Sequence, residues 1–332
     1  MDKISFLGCG SWGGALGLVL AQKGLPITMW HRNSDVVESL RNTRTHYLVP
    51  EIKFPNNVTF TTNVESAIQN SSIIIIAIPS QSIRQLLIDN KKNFHEKQII
   101  VNISKGIEND SLMTVSDVIN DVMGVLHTKT VTLSGPSHAE EVVLGHPTTL
   151  VAASSDQESA EKIQNLFSTP LLRTYLSTDI KGVEIGGSMK NVIAIAAGIC
   201  DGIGYGDNTK AALLTRGMAE IGRLGIAMGA EPATFQGLSG FGDLIVTCLS
   251  KHSRNRQVGQ AIGEGQSLKE VLSKMNMVAE GVKTSKSLHQ LRLKYNVSMP
   301  ICESIYGILF DGKNPKDSVT SLMTRDLKFE DD

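Results

Sequence analysis

The strongest constraint on this chain's fold lies at its N-terminus. The apolar run Lys3–Leu7 leads straight into Gly8-Cys9-Gly10-Ser11-Trp12-Gly13, which opens a helical pattern over Ala15–Lys23. Glycines at this spacing have separate jobs. The first permits a tight turn, the second lets a pyrophosphate approach the backbone, and the third lets the helix pack closely on the strand. The phosphates then rest on the free N–H groups at the helix start. The glycine spacing alone is a weak signal, and the strand–turn–helix context makes it specific. Gly8, Gly10 and Gly13 are therefore expected to bind a dinucleotide, with Ser11 and Trp12 touching it from inside the loop. The alternative for Trp12 is a packing aromatic.

Strand and helix patterns keep alternating through the first half. Lys3–Leu7, Pro26–Trp30, Ile73–Ile78, Gln98–Ile103, Thr130–Leu133 and Thr148–Ala153 read as strands. Ile73–Ile78 is apolar on both faces, as a central parallel strand covered on both sides must be. Ala15–Lys23, Ser80–Asp89 and Ser111–Val118 read as helices between them, which predicts a doubly wound α/β unit. Beyond about residue 180 the pattern changes to Val183–Cys200, Lys210–Met228, Leu268–Met275, Val282–Leu293 and Ser298–Phe310, all helical, with glycine-rich turns at 202–207 and 237–243. The expected architecture is an α/β Rossmann domain with a mostly parallel sheet over 1–180, followed by an all-helical C-terminal domain over 181–332. A chain of 332 residues suits two domains.

Composition removes several function classes. With 32 Lys+Arg against 33 Asp+Glu, the chain has no basic footprint for nucleic acid. Its four cysteines, at 9, 200, 248 and 302, are too scattered for a disulfide framework or a metal site, so no metal is expected. Free thiols without a secretory signal pattern point to the cytoplasm. The apolar runs Ile73–Ile78 and Val192–Ile199 are shorter than the roughly 20 residues of a membrane span, and no membrane partner is expected.

The end of the second strand bears on cofactor choice. An NAD-specific site places an acidic residue there to bind the ribose hydroxyls. This chain has His31-Arg32-Asn33 instead. Arg32, with His31 as a second candidate, would attract a 2′-phosphate. The expected cofactor is NADP(H), with NAD(H) also accepted.

Several further segments carry a family resemblance: Gly8–Gly14, Ile103-Ser-Lys105-Gly106, Ser134-Gly-Pro-Ser-His-Ala-Glu140, Lys190-Asn191, the run from Gly206 to Gly217, Gly237–Leu244, and Ser253-Arg-Asn255. In this order, along essentially the whole chain, they make it resemble bacterial-type NAD(P)-dependent glycerol-3-phosphate dehydrogenases. The resemblance implies hydride exchange between sn-glycerol 3-phosphate and dihydroxyacetone phosphate, a role in phospholipid synthesis, and a homodimer. It also singles out Lys190 as the proton acceptor. An unperturbed lysine stays charged at neutral pH, so Lys190 would need burial or a cationic neighbour to serve. Lys105, at the end of the strand near residue 103, resembles a second active-site lysine touching both substrate and cofactor. Asp243 resembles a partner that orients Lys190 or the substrate, with a turn-stabilising Asp as the alternative.

For the phosphate, Ser253, Arg254 and Asn255 offer a hydroxyl, a guanidinium and an amide in succession, and Arg254 resembles a cofactor contact as well. Gly135 and Ser137 should line the same cleft, with Ala139 on the cofactor side. Val278 and Glu280 match positions that close over the cofactor. Lys210 and Arg216 either face the site or are structural. Two residues depart from the family pattern: His138 stands where an aromatic is expected, and Ser188 where Ala or Thr is usual. Two rivals compete with this reading. One is a ketopantoate-type reductase or β-hydroxyacid dehydrogenase, and the other is an NADPH sensor without turnover.

Overall fold

The computed structural model describes residues 2–124, 129–275, 279–327 and 329–330. Eight strands form one sheet: β1 (Ile4–Leu7), β2 (Ile27–Trp30), β3 (Val58–Thr61), β4 (Ile73–Ile76), β5 (Ile99–Asn102), β6 (Thr130–Ser134), β7 (Thr148–Ala153) and β8 (Leu172–Ser177). Their order is β3-β2-β1-β4-β5-β6-β7-β8. All neighbours are parallel except β6 and β7. Four consecutive isoleucines make up β4, and all are buried. The sequence reading missed β3 and β8, which are the two sheet edges. Along β8 buried Leu172 and Thr174 alternate with exposed Arg173 and Tyr175, so the apolar run that marks a central strand is missing.

Helices α1 (Ser11–Gln22), α2 (Ser34–Thr43), α3 (Val64–Gln69), α4 (Ile83–Asn90), α5 (Val115–Met123), α6 (Ala139–Val143) and α7 (Gln157–Phe167) accompany the sheet. Helix α5 begins four residues later than the pattern suggested. Asp110 and Leu112 take positive φ, and Thr114 with Asp117 closes a capping box in front of Val115.

Among the described residues from 180 on, the elements are helices: α8 (Ile180–Ile203), α9 (Asp207–Ala227), α10 (Pro232–Gln236), α11 (Asp243–Leu249), α12 (Arg254–Gly263), α13 (Leu268–Ser273), α14 (Glu280–Tyr295), α15 (Pro300–Phe310) and α16 (Pro315–Met323). By length and composition α8 could cross a membrane, yet its whole apolar window is buried in protein, as in a core helix. Its closest partner is α12, and glycines on both helices explain the approach. A Cβ on Gly198 would overlap the Arg256 carbonyl, and one on Gly259 would overlap the Ile195 carbonyl. Gly202 and Gly263, one turn further along each helix, are equally tight. The two backbones touch directly.

One buried side chain fastens α8 to the sheet. Glu184 accepts hydrogen bonds from Asn102 Nδ2 on β5 (2.9 Å), Thr132 Oγ1 on β6 (2.8 Å), and the Ser116 hydroxyl (2.7 Å) and amide (3.1 Å) at the start of α5. Asn102 in turn accepts from the Ser104 amide (2.9 Å), shaping the turn that carries Lys105. Glu184→Ala strands these donors without solvent. Hydrogen bonds to a carboxylate are worth about 1.5–3 kcal/mol each, so a loss of about 3 kcal/mol or more is expected in urea unfolding followed by circular dichroism.

Candidate active site

The site collects at the C-terminal ends of the parallel strands, where the chain order reverses between β1 and β4. Gly8 follows β1 at φ +119°, and a Cβ there would overlap the Ala77 carbonyl beyond β4. A Cβ on Gly13 would lie 3.0 Å from the Ala77 Cβ and 3.1 Å from the Gly8 carbonyl oxygen. Around Gly10, the N-cap of α1, the corresponding space is open. Tight turn, helix contact and open approach thus fall to the three glycines in the expected way. Ser11 begins α1. Trp12 packs partly against the core, and its Nε1 is buried with no hydrogen-bond partner among the described residues. An open glycine turn at a helix N-terminus, with an orphaned indole N–H beside it, fits a pyrophosphate-bearing cofactor.

At the end of β2, Trp30 Nε1 is fixed by the Thr62 carbonyl (3.0 Å). His31 is half-buried. Its Nδ1 accepts the Asn33 amide (3.1 Å), and its Nε2 faces the Tyr47 hydroxyl (3.4 Å). Burial, aided by the charge of Arg32, holds its pKa below the ordinary value. At neutral pH His31 is therefore mainly a neutral, hydrogen-bonding ring, and the fixed positive charge at this end is that of exposed Arg32. Tyr47, absent from the sequence reading, joins the site only through the fold.

The chemical centre is Asp243. It lies at the first position of α11, behind a π-turn over Leu238–Gly242, rather than in a turn, and it is wholly buried. Lys190 from α8 pairs with its Oδ1, and Lys105 from the end of β5 with its Oδ2 (2.6 Å). Lys105 Nζ also donates to the Gly135 carbonyl (3.1 Å), which accepts the Ser137 hydroxyl as well (3.1 Å). Gly187 leaves room beneath α8, since a Cβ there would come within 2.9 Å of Ser134 Oγ and 3.6 Å of the Lys105 side chain. Thr247, one turn beyond Asp243, accepts from Lys190 Nζ (2.7 Å) and donates to the Asp243 carbonyl (2.6 Å). The sequence reading missed Thr247, although its spacing of four from Asp243 on one helix was the available signal. Burial brings the Lys190 pKa down to about 7. Asp243 opposes that shift and the Lys105 cation adds to it.

The Ser253-Arg254-Asn255 trio does not present three converging donors. Ser253 is buried as the N-cap of α12, its hydroxyl accepting the Arg256 amide (3.3 Å). Asn255 donates to Asn191 Oδ1 on α8 (2.9 Å) and accepts the Gly281 amide on α14 (3.0 Å). Ser253 thus caps its own helix, and Asn255 joins α12 to α8 and α14. Only Arg254 is open to solvent, in surroundings crowded by protein and within electrostatic reach of Glu140 and Glu280. Glu280 accepts the Ser80 hydroxyl (3.1 Å) beyond β4, and burial raises its pKa. Ala139 is buried at the start of α6, in the same core as α1. Val278 lies outside the described residues.

The remaining residues singled out by the sequence have protein partners. Lys210 pairs with Asp201 (2.6 Å), and Arg216 donates to the Glu330 carbonyl (2.5 Å). His138 places Nε2 3.4 Å from the Val246 carbonyl, and Ser188 donates to the Glu184 carbonyl one turn back (2.7 Å). Among the described residues, no group of three or more His, Cys, Asp or Glu is placed to hold a metal ion.

A Rossmann sheet with an open glycine turn and two lysines sharing one buried carboxylate at its strand ends defines a nicotinamide-dependent dehydrogenase. The chain belongs to the NAD-dependent glycerol-3-phosphate dehydrogenase family, matching its N-terminal part over residues 3–160 and its C-terminal part over 179–320. It is 49% identical over 333 residues to glycerol-3-phosphate dehydrogenase (NAD(P)+) 1 of Salinibacter ruber, covering 99% of this chain and 97% of that one. The corresponding protein of Clostridium perfringens strain 13 is 47% identical over the full length of both. The crystal structure of glycerol-3-phosphate dehydrogenase from Coxiella burnetii superposes with a TM-score of 0.93 at 33% identity, covering 98% of this chain and 99% of the other.

The glycine turn separates into two testable roles. Gly10→Val should leave the unfolding midpoint close to wild type and raise the Kd for NADPH at least about tenfold by filling the open approach. Gly8→Val should instead lower stability by about 2 kcal/mol or more, from positive-φ strain and overlap with Ala77. Thermal melts and NADPH fluorescence titrations on both variants check this.

Proposed function

We propose that this chain catalyses the reversible reduction of dihydroxyacetone phosphate to sn-glycerol 3-phosphate, with NADPH as the preferred donor and NADH also accepted. The observation that carries the reading is the shared carboxylate of Asp243, which holds two lysines from different elements at the end of the sheet. When bound, the nicotinamide cofactor supplies or accepts the hydride. Gly8, Gly10, Ser11, Trp12, Gly13, His31, Arg32, Ala139, Val278 and Glu280 would hold it, with Lys105 and Arg254 between cofactor and substrate.

In the reductive direction the Lys190 ammonium polarises the ketone oxygen and gives up its proton as the alkoxide forms. In the oxidative direction the neutral amine takes the hydroxyl proton. Asp243 and Thr247 fix the Nζ through both steps. Lys105 binds and orients the substrate oxygens beside the Gly135–Ser137 turn. The substrate phosphate falls to Arg254, with Ser253 and Asn255 setting the backbone around it. The family match over residues 3–160 and 179–320 favours this reading over ketopantoate-type reductases, which take carboxylates. The paired lysines favour it over a sensor.

In this reading the cofactor domain spans 1–180 and the helical domain 181–332, supported by the last strand ending at Ser177 and α8 beginning at Ile180. The protein is a cytoplasmic homodimer that supplies the glycerol phosphate backbone for phospholipid synthesis. Its four cysteines, all free and buried, suit a reducing compartment.

The test is oxidation of NADPH by the purified protein with dihydroxyacetone phosphate, beside a ketopantoate control. Turnover with the phosphate substrate alone is expected, and turnover only with ketopantoate would overturn the assignment. Lys190→Met should lower the rate by about 10²–10⁴-fold while NADPH still binds. Because the Lys190 pKa lies at about 7, glycerol 3-phosphate oxidation should rise with pH through that value as the amine loses its proton. Reduction should fall across the same range. Profiles flat between pH 6 and 8 would remove Lys190 from the proton transfer.

Arg32→Glu should invert the cofactor preference, raising the KM for NADPH at least about tenfold against a small change for NADH. Steady-state kinetics with each cofactor measures the ratio.

A further inference from the structure

Outside the catalytic array, one buried titratable side chain lies directly against the glycine turn. His46 is 1% exposed and comes from the loop after α2. Its Nδ1 accepts two backbone N–H groups, those of Leu48 and Val49, each at 3.1 Å. An imidazole nitrogen that accepts hydrogen bonds carries no proton, so the proton of the neutral ring sits on Nε2. Nε2 lies 3.1 Å from the Cys9 carbonyl oxygen and donates to it. Burial outweighs the hydrogen bonds to the Cys9 and Gly10 backbone and brings the ring's pKa down to about 4, which leaves it neutral throughout the working range.

The geometry of one peptide plane then follows. The Cys9–Gly10 unit is planar and trans, so its C=O and N–H point in opposite directions. With the Cys9 carbonyl held inward by His46, the Gly10 N–H is turned outward, on the side of the turn that must meet the pyrophosphate. The contact needs space under α1. A Cβ on Gly14 would lie 2.7 Å from His46 Cδ2 and 2.9 Å from Nε2, so the fourth glycine of the N-terminal segment makes room for this ring. On its other face His46 stacks on Tyr47, with centroids 4.8 Å apart and planes at 22°, and Tyr47 meets His31 at the end of β2.

We propose that His46 is a positioning residue for the cofactor, aiming the Gly10 amide at the pyrophosphate through the Cys9 carbonyl and setting the His31 ring through Tyr47. The proposal rests on the glycine turn being the pyrophosphate site. It adds a residue that touches neither cofactor nor substrate.

The experiment compares His46→Gln, whose amide nitrogen can occupy the place of Nε2, with His46→Phe, which keeps an aromatic ring and loses all three hydrogen bonds. NADPH titration of the full-length protein by fluorescence gives Kd, and steady-state kinetics gives kcat and both KM values. The Phe variant should bind NADPH at least tenfold more weakly, with kcat at saturating cofactor and the KM for dihydroxyacetone phosphate within about twofold of wild type. The Gln variant should recover most of the lost affinity. Equal Kd for Gln, Phe and wild type would overturn the proposal, as would a loss confined to kcat.

Should the Phe variant fail to fold, nitrogen-15 NMR of the histidines in the wild-type protein decides. A neutral Nε2–H tautomer for His46, with its proton resonance shifting on addition of NADPH, is expected. The Nδ1–H tautomer, or a resonance indifferent to NADPH, would overturn the proposal. Failure of the wild type to bind NADPH at all would overturn the underlying cofactor assignment rather than the role of one histidine.

Discussion

The structure depends on one fully buried carboxylate, that of Asp243. Two ammonium groups brought together in a protein interior repel each other and lose hydration, and each escapes by releasing its proton. A carboxylate between them changes that balance, because either lysine can then keep its charge at a tolerable cost. The same atoms also join three distant pieces of chain: the end of β5, the middle of α8 and the start of α11. The fold and the chemistry therefore share an interaction. Whatever loosens Asp243 removes one tie between the sheet and the helices and changes the proton affinity of Lys190.

Lys190 is also held in place by the helix that carries it. Lys190 sits on α8, which Glu184 registers against β5, β6 and α5 near its N-terminal end. Toward its C-terminal end, Gly198 and Gly202 on α8 and Gly259 and Gly263 on α12 let the two helices press together. Side-chain interfaces can slip by exchanging rotamers, whereas backbone touching backbone has no such freedom. The rigidity of the helical half thus serves the same end as the hydrogen bonds of Asp243, which is a fixed Nζ.

Much of this was legible in the sequence because it is local. The glycine turn after β1 declares its own geometry, and the isoleucines of β4 declare a strand buried on both faces. What escaped was set by distant parts of the chain. The edge strands β3 and β8 lack a double-sided apolar signal. Asp243 looked like a turn residue because the glycines before it hide the start of α11. Ser253 and Asn255 looked like phosphate ligands from their chemistry, yet their hydrogen bonds go to α8, α12 and α14, which no spacing within the tripeptide announces. Tyr47 and His46 gain their roles only once loops and helices far apart in sequence are brought together. The lowered pKa of Lys190 is likewise a property of burial, and no lysine shows that in isolation.

Helix α8 has a further consequence during synthesis. Its cover comes from α9, α11, α12 and α14, all made after it, and at about 5–20 residues per second the ribosome needs roughly 5–20 s to deliver them. For that time the nascent chain carries a 24-residue helix that machinery sorting proteins by apolarity could mistake for a membrane span. Lys190 lies near the middle of that helix and Glu184 a few residues before it. A charge at the centre of an inserting helix costs about 2.5–3.5 kcal/mol. The lysine that pairs with Asp243 thus also makes its own helix costly to place in a bilayer.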